Sequence, residues 1–479
     1  MASDKIKLGL NIPLFVAGIV SIGAGTLIGM VAVWWYLAWG QLAPFWQKVS
    51  HAHAAWWSAL IIIAAMLLPG LNLKPWVKKA IIIGTFIGPV FWVGVLAAYY
   101  ELGGPAIWRF EVKELVGAYY EIPLLGVIAG LLEFLGFISL GVVGVAASGI
   151  KIPLLSTDEP PPPSKLDILS NFEVPRKIFL IPTLTISFGV LAGFFITSVY
   201  KMAKLPITPA ALVQLHDHTA LIATSALIML LVLTVLNAEE RVFRIAYMLM
   251  AVSLPLVTVG LLVFILAGTS SIVWVIPAGV YYLIIPITLL SAVGILKTRM
   301  REGSSTFSTP LRTALSVCLA GILILIAQGA VIALAWSNTP DVTVTYKQPE
   351  GAEYPGPYPV EFIGTAPVKG TPRGLENAHL SPGSWFHIAT TWLVVLVITG
   401  ERIFQGLLRR PGLLYLFAVT IPAAPLFNML GRYLAWAGIP NGIGALLFAG
   451  HPIKGFNIIS LFILGLVTLY MLTRRKAAG

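Results

Sequence analysis

Residues 219–236 read TALIATSALIMLLVLTVL, an apolar run without a single charged side chain. At about 1.5 Å per residue, a helix of this length nearly crosses the hydrocarbon core of a bilayer, which is about 30 Å thick. Similar runs recur along all 479 residues, and 58% of the residues are hydrophobic whereas only 11% are charged. Ordinary soluble domains have about 25% charged residues. The composition therefore predicts an all-α, polytopic membrane bundle.

Hydropathy windows of about 19 residues predict about twelve transmembrane helices, near 12–39, 51–71, 80–100, 122–147, 178–200, 210–236, 246–267, 272–296, 313–336, 384–404, 413–436 and 456–472. Of the 31 Lys and Arg residues, 21 fall at the termini and in the even-numbered loops. By the positive-inside rule, both termini are expected in the cytoplasm. We expect one membrane domain, residues 1–479, in the cell membrane. The formal charge of +11 is spread between apolar runs, so it does not indicate nucleic-acid binding.

Two predicted connections are unusually long, and loops of such length are often functional or bind partners. Residues 148–177 include four consecutive prolines at 160–163 and predict a stiff cytoplasmic linker. Residues 337–383 form a predicted extracytoplasmic loop whose stretch VTVTY, residues 342–346, is compatible with a small β-hairpin. This loop and the predicted outer loop 101–121 each have a net charge of −2. Such a face suits docking of a cytochrome or cupredoxin, or it is simply solvated surface.

The histidines are placed on one side of the predicted topology. His51 and His53 open the second predicted helix, His216 and His218 lie in the sixth, and His387 lies in the tenth. His53, His218 and His387 are separated by 165 and 169 residues, with four predicted helices in each interval. This spacing predicts three pseudo-symmetric units of four helices.

Ionisable side chains in membrane helices are costly, so they are candidates for function. Neutral imidazole is a common metal ligand and can hold haem iron. Residues i and i+2 of a helix point about 200° apart, so each His-x-His motif can serve two different sites. The alternative is that these histidines lie at the headgroup level and bind only water. That alternative is favoured for His379 and His451, which lie in predicted outer loops.

The topology and two short motifs resemble the haem-copper oxidase subunit I superfamily. Leu434-Ala-Trp-Ala-Gly-Ile-Pro440 is similar to the family's stretch after helix 11, and Phe456-Asn-Ile-Ile-Ser460 is similar to its entry into helix 12. In that family the second and tenth helices ligate a low-spin haem. The resemblance therefore implies His51 or His53 together with His387 as haem ligands.

The chain departs from the family at the second metal site. The predicted seventh helix, residues 246–267, has no histidine, so we expect no copper and no reduction of oxygen or nitric oxide. Asn441-Gly442 replaces the family's propionate-binding Arg pair, and Arg432 is the candidate to compensate. What remains resembles the hydrophobic subunit of archaeal b-type cytochrome complexes. The resemblance implies two haem b groups, each held by two histidines. The ligands would come from His51, His53, His216, His218 and His387, and their pairing stays open.

Two carboxylates lie in predicted helices. Glu133 falls near the middle of the fourth predicted helix. It is a candidate proton relay or quinol ligand, or else a neutral side chain that is hydrogen-bonded across helices. Asp217 lies between two histidines, where it either orients a ligating His through its second nitrogen or faces a water-filled vestibule.

These patterns predict a membrane-bound b-type cytochrome that transfers electrons between membrane quinol and an extracytoplasmic redox partner, a cytochrome or cupredoxin. It would be a quinol-oxidising subunit beside other respiratory-complex subunits, in contact with membrane lipid. Two alternatives stay open. One is a secondary transporter without haem, because Pro69, Pro89 and Pro286 interrupt apolar runs. The other is a cofactor-free anchor subunit of a respiratory complex.

Overall fold

The structure is a computed structural model. It describes residues 4–31, 45–92, 94–95, 106–112, 118–161, 173–196, 210–235, 238–267, 309–338, 341–346 and 364–369, and the single positions 386, 423, 426, 427, 430, 462, 466, 469 and 470.

Helices dominate these residues. They are α1 (Ile12–Val31), α2 (Phe45–Leu67), α3 (Pro75–Thr85), α4 (Leu124–Ala147), α5 (Leu180–Phe195), α6 (Ala210–Val235), α7 (Glu240–Ala267) and α8 (Thr309–Asn338). The strands are β1 (Lys5–Lys7), β2 (Ala106–Val112), β3 (Ala118–Pro123), β4 (Glu173–Pro175), β5 (Asp341–Tyr346) and β6 (Gly364–Lys369). They form three antiparallel pairs, β1 with β4, β2 with β3, and β5 with β6.

Six of the described helices are long and apolar enough to cross a membrane, namely α1, α2, α4, α5, α6 and α7. The prediction of a mostly helical protein with several apolar helices of membrane-spanning length is therefore confirmed for the described residues. The predicted helix 272–296 and nearly all of the three predicted after residue 383 lie outside the described residues. The count of twelve and the threefold arrangement stay predictions.

Large apolar side chains on the outer surfaces of these helices are exposed. Leu131 on α4 is 61% exposed, and Met248 and Val259 on α7 are 59% and 55% exposed. In a soluble protein such faces would need a cover. Hydrocarbon tails of lipid are the solvent that suits them.

Four helices begin earlier than the hydropathy windows predict, and α7 and α8 do so by six and four residues, at Glu240 and Thr309. Helix α2 starts at Phe45, before the predicted residue 51, so the His-x-His motif lies about two turns into the helix and does not open it. Helix α3 starts at Pro75, before the predicted residue 80. Proline is favoured at the first helical position because its missing N–H would be unpaired there. Pro89 lies in a π-helical turn, Phe86–Val90, that directly follows α3.

The helix ends remote from the histidines are tied together by backbone contacts. Strand β1 pairs with β4, and the backbone N–H of Arg176 donates to Asp4 O at 2.9 Å. The Arg176 guanidinium donates to Ala146 O at the end of α4, at 3.2 Å. The chain start therefore packs against the last residues of the predicted linker and the beginning of α5.

Candidate cofactor site between helices α2 and α6

The two His-x-His motifs lie on α2 and α6, and the first histidine of each motif hydrogen-bonds to the helix that precedes it in the chain. His51 Nδ1 donates to Gly25 O of α1 at 2.5 Å, and His216 Nδ1 donates to Gly189 O of α5 at 2.8 Å. A backbone carbonyl oxygen only accepts, so the proton of each ring is placed on Nδ1.

Glycines make room for these two rings. The ring of His51 lies against Gly29 so closely that a Cβ there would collide with it. The ring of His216 lies in the same way against Gly193, where an ideal Cβ would be 2.6 Å from the ring carbon Cε1. Each histidine thus fits a Gly-x-x-x-Gly notch, with the first glycine as hydrogen-bond acceptor and the second as the floor.

The helix pairs α1/α2 and α5/α6 share further contacts at the same offsets. The position of a Cβ on Gly25 meets Ala54 and the backbone of Ala55, three and four residues after His51. The corresponding position on Gly189 meets Thr219 and Ala220, three and four residues after His216. The likeness of the two motifs, which lie 165 residues apart in the sequence, therefore extends to the packing of the helix that precedes each one.

The second histidine of each motif is oriented by its own helix. His53 Nδ1 donates to Val49 O at 2.8 Å, and His218 Nδ1 donates to Gln214 O at 3.0 Å, each four residues earlier. All four rings therefore have the Nδ1–H tautomer, whose Nε2 carries a lone pair. Fixing one ring nitrogen by a hydrogen bond so that the other can coordinate is the arrangement that metal-binding histidines use.

His53 and His216 face each other across the α2–α6 interface. Their ring centroids are 5.7 Å apart and their planes differ by 19°. Two imidazoles on opposite sides of one metal ion, each with its nitrogen at about 2 Å, have centroids about 6 Å apart. These two rings are stacked, and their spacing would let both of them hold one cofactor between α2 and α6.

Trp92, which follows the π-helical turn, closes one side of this pair. Its ring centroid is 5.1 Å from that of His53, with the planes tilted by 46°. Trp92 also packs with Ala54 of α2 and Ala129 of α4, so the site is enclosed by apolar side chains on that side.

The chemistry of the donor set limits what the site can hold. Among the described residues, no group of three or more His, Cys, Asp or Glu side chains is arranged to bind a bare metal ion. Two neutral imidazoles suit a metal that brings its own equatorial ligands, as the iron of a haem does. The two fixed Nε2 lone pairs fit such a group.

Asp217 is placed beside the pair and does not orient it. Its Oδ1 lies 3.9 Å from His216 Nε2, which is longer than a hydrogen bond. The orienting partners of His216 and His218 are the carbonyls of Gly189 and Gln214. The side chain of Asp217 is 37% exposed, which agrees better with the vestibule alternative.

Glu133 is buried in α4, at 6% exposure. It lies one turn after Ala129, the residue that packs with Trp92. One turn later, Gly136 contacts the ring of Pro89 so closely that a Cβ would be 2.7 Å from its Cδ. The carboxyl group therefore lies where the π-helical turn and α4 approach one another, about one turn from the aromatic wall of the histidine pair.

The sequence prediction missed Trp92 and the four notch glycines. Gly25-x-x-x-Gly29 and Gly189-x-x-x-Gly193 each precede a His-x-His motif by the same interval to within one residue, which is the signal that could have revealed them. The antiparallel pair β2–β3 was also missed. The predicted ligands His387 and Arg432 lie outside the described residues, as do His379 and His451.

The comparison with protein families, curated proteins and solved structures finds no match for this chain.

Proposed function

We propose that this chain is a membrane-bound b-type cytochrome that transfers electrons from membrane quinol to an extracytoplasmic redox partner. The observation that supports this most is the pair His53 and His216. Their rings face each other at 5.7 Å, and each holds its proton on Nδ1 through a backbone carbonyl. A haem between them would supply one-electron chemistry, while the protein supplies ligands, orientation and an apolar surrounding.

A second haem would use the other flank of α2. His51 points to the Gly25–Gly29 notch and His53 to α6, so one motif reaches two sites. His51 with His387 is the remaining pair that links the second and tenth predicted helices. In this assignment His218 is left without a haem, and Arg432 is the candidate for a propionate contact.

The proposal includes the wider architecture. It comprises about twelve helices in three units of four, both termini in the cytoplasm of a cell-membrane protein, and other subunits that complete a respiratory complex. The electron acceptor would be a cytochrome or cupredoxin that docks on the mildly acidic outer loops. No copper is included, because no histidine on α7 is available for a second metal.

The first experiment is a reduced-minus-oxidised absorption spectrum of the purified protein with a pyridine haemochrome count. We expect a b-type α-band and about two haems per chain. His387→Ala should remove one of them, while His379→Ala, in a predicted outer loop, serves as the control and should remove none. A protein that stays free of haem when haem is supplied would refute the proposal and favour a transporter or an anchor subunit.

A further inference from the structure

The turn that follows α4 presents a leucine to the surface in an unusual backbone conformation. Leu154 has a φ of 67°, and its side chain is 82% exposed. Among the large apolar side chains whose burial is described, none is more exposed. A positive φ is uncommon outside glycine, asparagine and aspartate, and it persists only where the surrounding structure holds it. An exposed leucine that is held in this way needs an explanation.

The backbone around Leu154 is fixed by hydrogen bonds. The backbone N–H of Ser156 donates to Ile152 O at 3.0 Å, and the N–H of Ile152 donates to Ser156 Oγ at 2.9 Å. The backbone N–H of Lys74, just before α3, donates to Leu155 O at 2.9 Å. Ile152 and Leu155 also pack against the apolar core. The turn is therefore anchored beside the start of α3, while Leu154 stays outside.

Helix α3 begins beside this turn with a face that suits the membrane interface. Trp76, in the first turn of α3, and Ile83, two turns later on the same face, are both 57% exposed. Tryptophan is enriched at membrane–water interfaces, where its amphipathic ring lies at the level of the head groups. Lys79 is exposed one turn after Trp76, and a lysine there can extend its charge to the head groups while its stem covers apolar surface.

This end of the molecule is basic. Four segments that are joined by backbone contacts contain eight Lys and Arg residues against four Asp and Glu residues, namely 4–7, 70–79, 148–159 and 173–177. Two of the lysines form ion pairs within these segments. No carboxylate of the described residues lies within salt-bridge distance of Lys74 or Lys79. The excess positive charge therefore lies close to the exposed Leu154 and Trp76.

We propose that the turn 150–155 and the start of α3 bind an anionic phospholipid of the adjacent leaflet. Its phosphate would lie near Lys74 and Lys79, and its acyl chains near Leu154 and Trp76. The lysines select a negative head group, and the exposed apolar side chains require a hydrocarbon part. A soluble anion would satisfy only the lysines. Because the exposed face of α3 continues from Trp76 into the bilayer, a lipid is favoured over a soluble protein.

The first test measures the depth of Leu154 in the membrane. Cys318 is the only cysteine and is buried, so Leu154→Cys can be spin-labelled selectively. Glu159→Cys, at an exposed residue of the same segment, is the control. Both full-length variants are placed in nanodiscs with equal amounts of phosphatidylglycerol and phosphatidylcholine. We expect the label at position 154 to lose relaxation by a water-soluble nickel complex but to keep relaxation by oxygen, whereas the label at position 159 keeps relaxation by nickel.

The second test measures the choice of head group. The detergent-solubilised protein is titrated with phosphatidylglycerol or phosphatidylcholine of identical acyl chains, and bound lipid is counted by native mass spectrometry. We expect tighter binding of phosphatidylglycerol. Lys79→Gln should weaken this binding about fivefold, the usual effect of one lysine at an anionic surface, and should leave phosphatidylcholine unaffected. Lys7→Gln is the matched control, because it removes the same charge from exposed strand β1 at the same end of the molecule, and it should keep the affinity.

Equal affinities for the two lipids would overturn the proposal. Equal losses in Lys79→Gln and Lys7→Gln would overturn it too, since they would indicate diffuse attraction by net charge. Equal access of nickel to positions 154 and 159 would place Leu154 in water, which would exclude the lipid and favour a soluble protein partner. None of these measurements depends on haem. A haem-free protein that still selects phosphatidylglycerol would refute the proposed function alone, and haem without this selectivity would refute the lipid site alone.

Discussion

Replacing Gly193 by alanine should detach one ligand of the proposed haem while leaving the helix bundle intact. An ideal Cβ at this position would lie 2.6 Å from His216 Cε1 and 2.7 Å from its Nδ1, whereas ordinary contacts begin at 3.4 Å. The ring must therefore retreat by about 0.8 Å, the difference between 3.4 and 2.6 Å. Metal–ligand distances tolerate changes of only about 0.2 Å. We expect the bond between His216 and iron to be lost.

The stability of the haem-free protein should change little. Alanine is more favourable than glycine in a helix interior by about 0.5–1 kcal/mol. Loss of the hydrogen bond from His216 to Gly189 costs about 1 kcal/mol. These effects nearly offset one another, so the free energy of unfolding should change by less than about 1 kcal/mol.

The assay compares haem content, the reduced spectrum and thermal unfolding in detergent for Gly193→Ala and for Gly130→Ala. The control position has no atom within 4 Å of its Cβ, so it gains helix propensity without a collision. We expect Gly193→Ala to lose one haem or to show an altered α-band, while the haem-free forms of the variant and of the unmodified protein have nearly equal Tm values. Two haems with an unaltered spectrum in Gly193→Ala would refute the assignment of His216 as a ligand in this geometry.

Three further predictions follow from the same site. His53→Ala and His216→Ala should each remove the same haem, and the double variant should remove no more haem than either single variant. The haemochrome count measures this. Loss of both haems in the double variant would mean that the two rings belong to different sites. His218→Ala should keep both haems, and a missing haem would contradict the pairing. Glu133→Gln should leave the haem spectrum unchanged but slow reduction by quinol, measured by stopped flow, by about 10²-fold or more. An unchanged rate would reduce Glu133 to a neutral packing residue.

The helical membrane class follows directly from hydropathy, because apolar runs of spanning length leave few alternatives in lipid. The division of each His-x-His motif between two flanks also follows from helix geometry, and His51 and His53 do point to α1 and α6. The start of α2 did not follow, since the predicted span begins at residue 51 whereas residues 45–50 extend the helix by almost two turns. A hydropathy window reports only how apolar a segment is, and a helix can continue beyond the membrane through polar residues.

The partner of each histidine was not predictable from the sequence. Gly-x-x-x-Gly is common wherever membrane helices approach closely, so Gly25 and Gly189 indicate packing and do not by themselves indicate a histidine acceptor. The pairing of β1 with β4 is equally hidden, because Lys5 and Pro175 are far apart in the sequence. Trp92 reaches the site through a π-helical turn, a local irregularity that hydropathy does not report.

The backbone carbonyls that hold the histidines have a consequence for assembly. His53 is set by Val49 within α2, and His216 is set by Gly189 within the α5/α6 hairpin, so each ring is oriented before the two hairpins meet. A cofactor held between His53 and His216 would bridge the interface of two helix pairs whose histidines are already oriented. We expect the cofactor to be inserted late in assembly, without rearrangement inside either helix pair. Its removal should weaken the α2–α6 interface first.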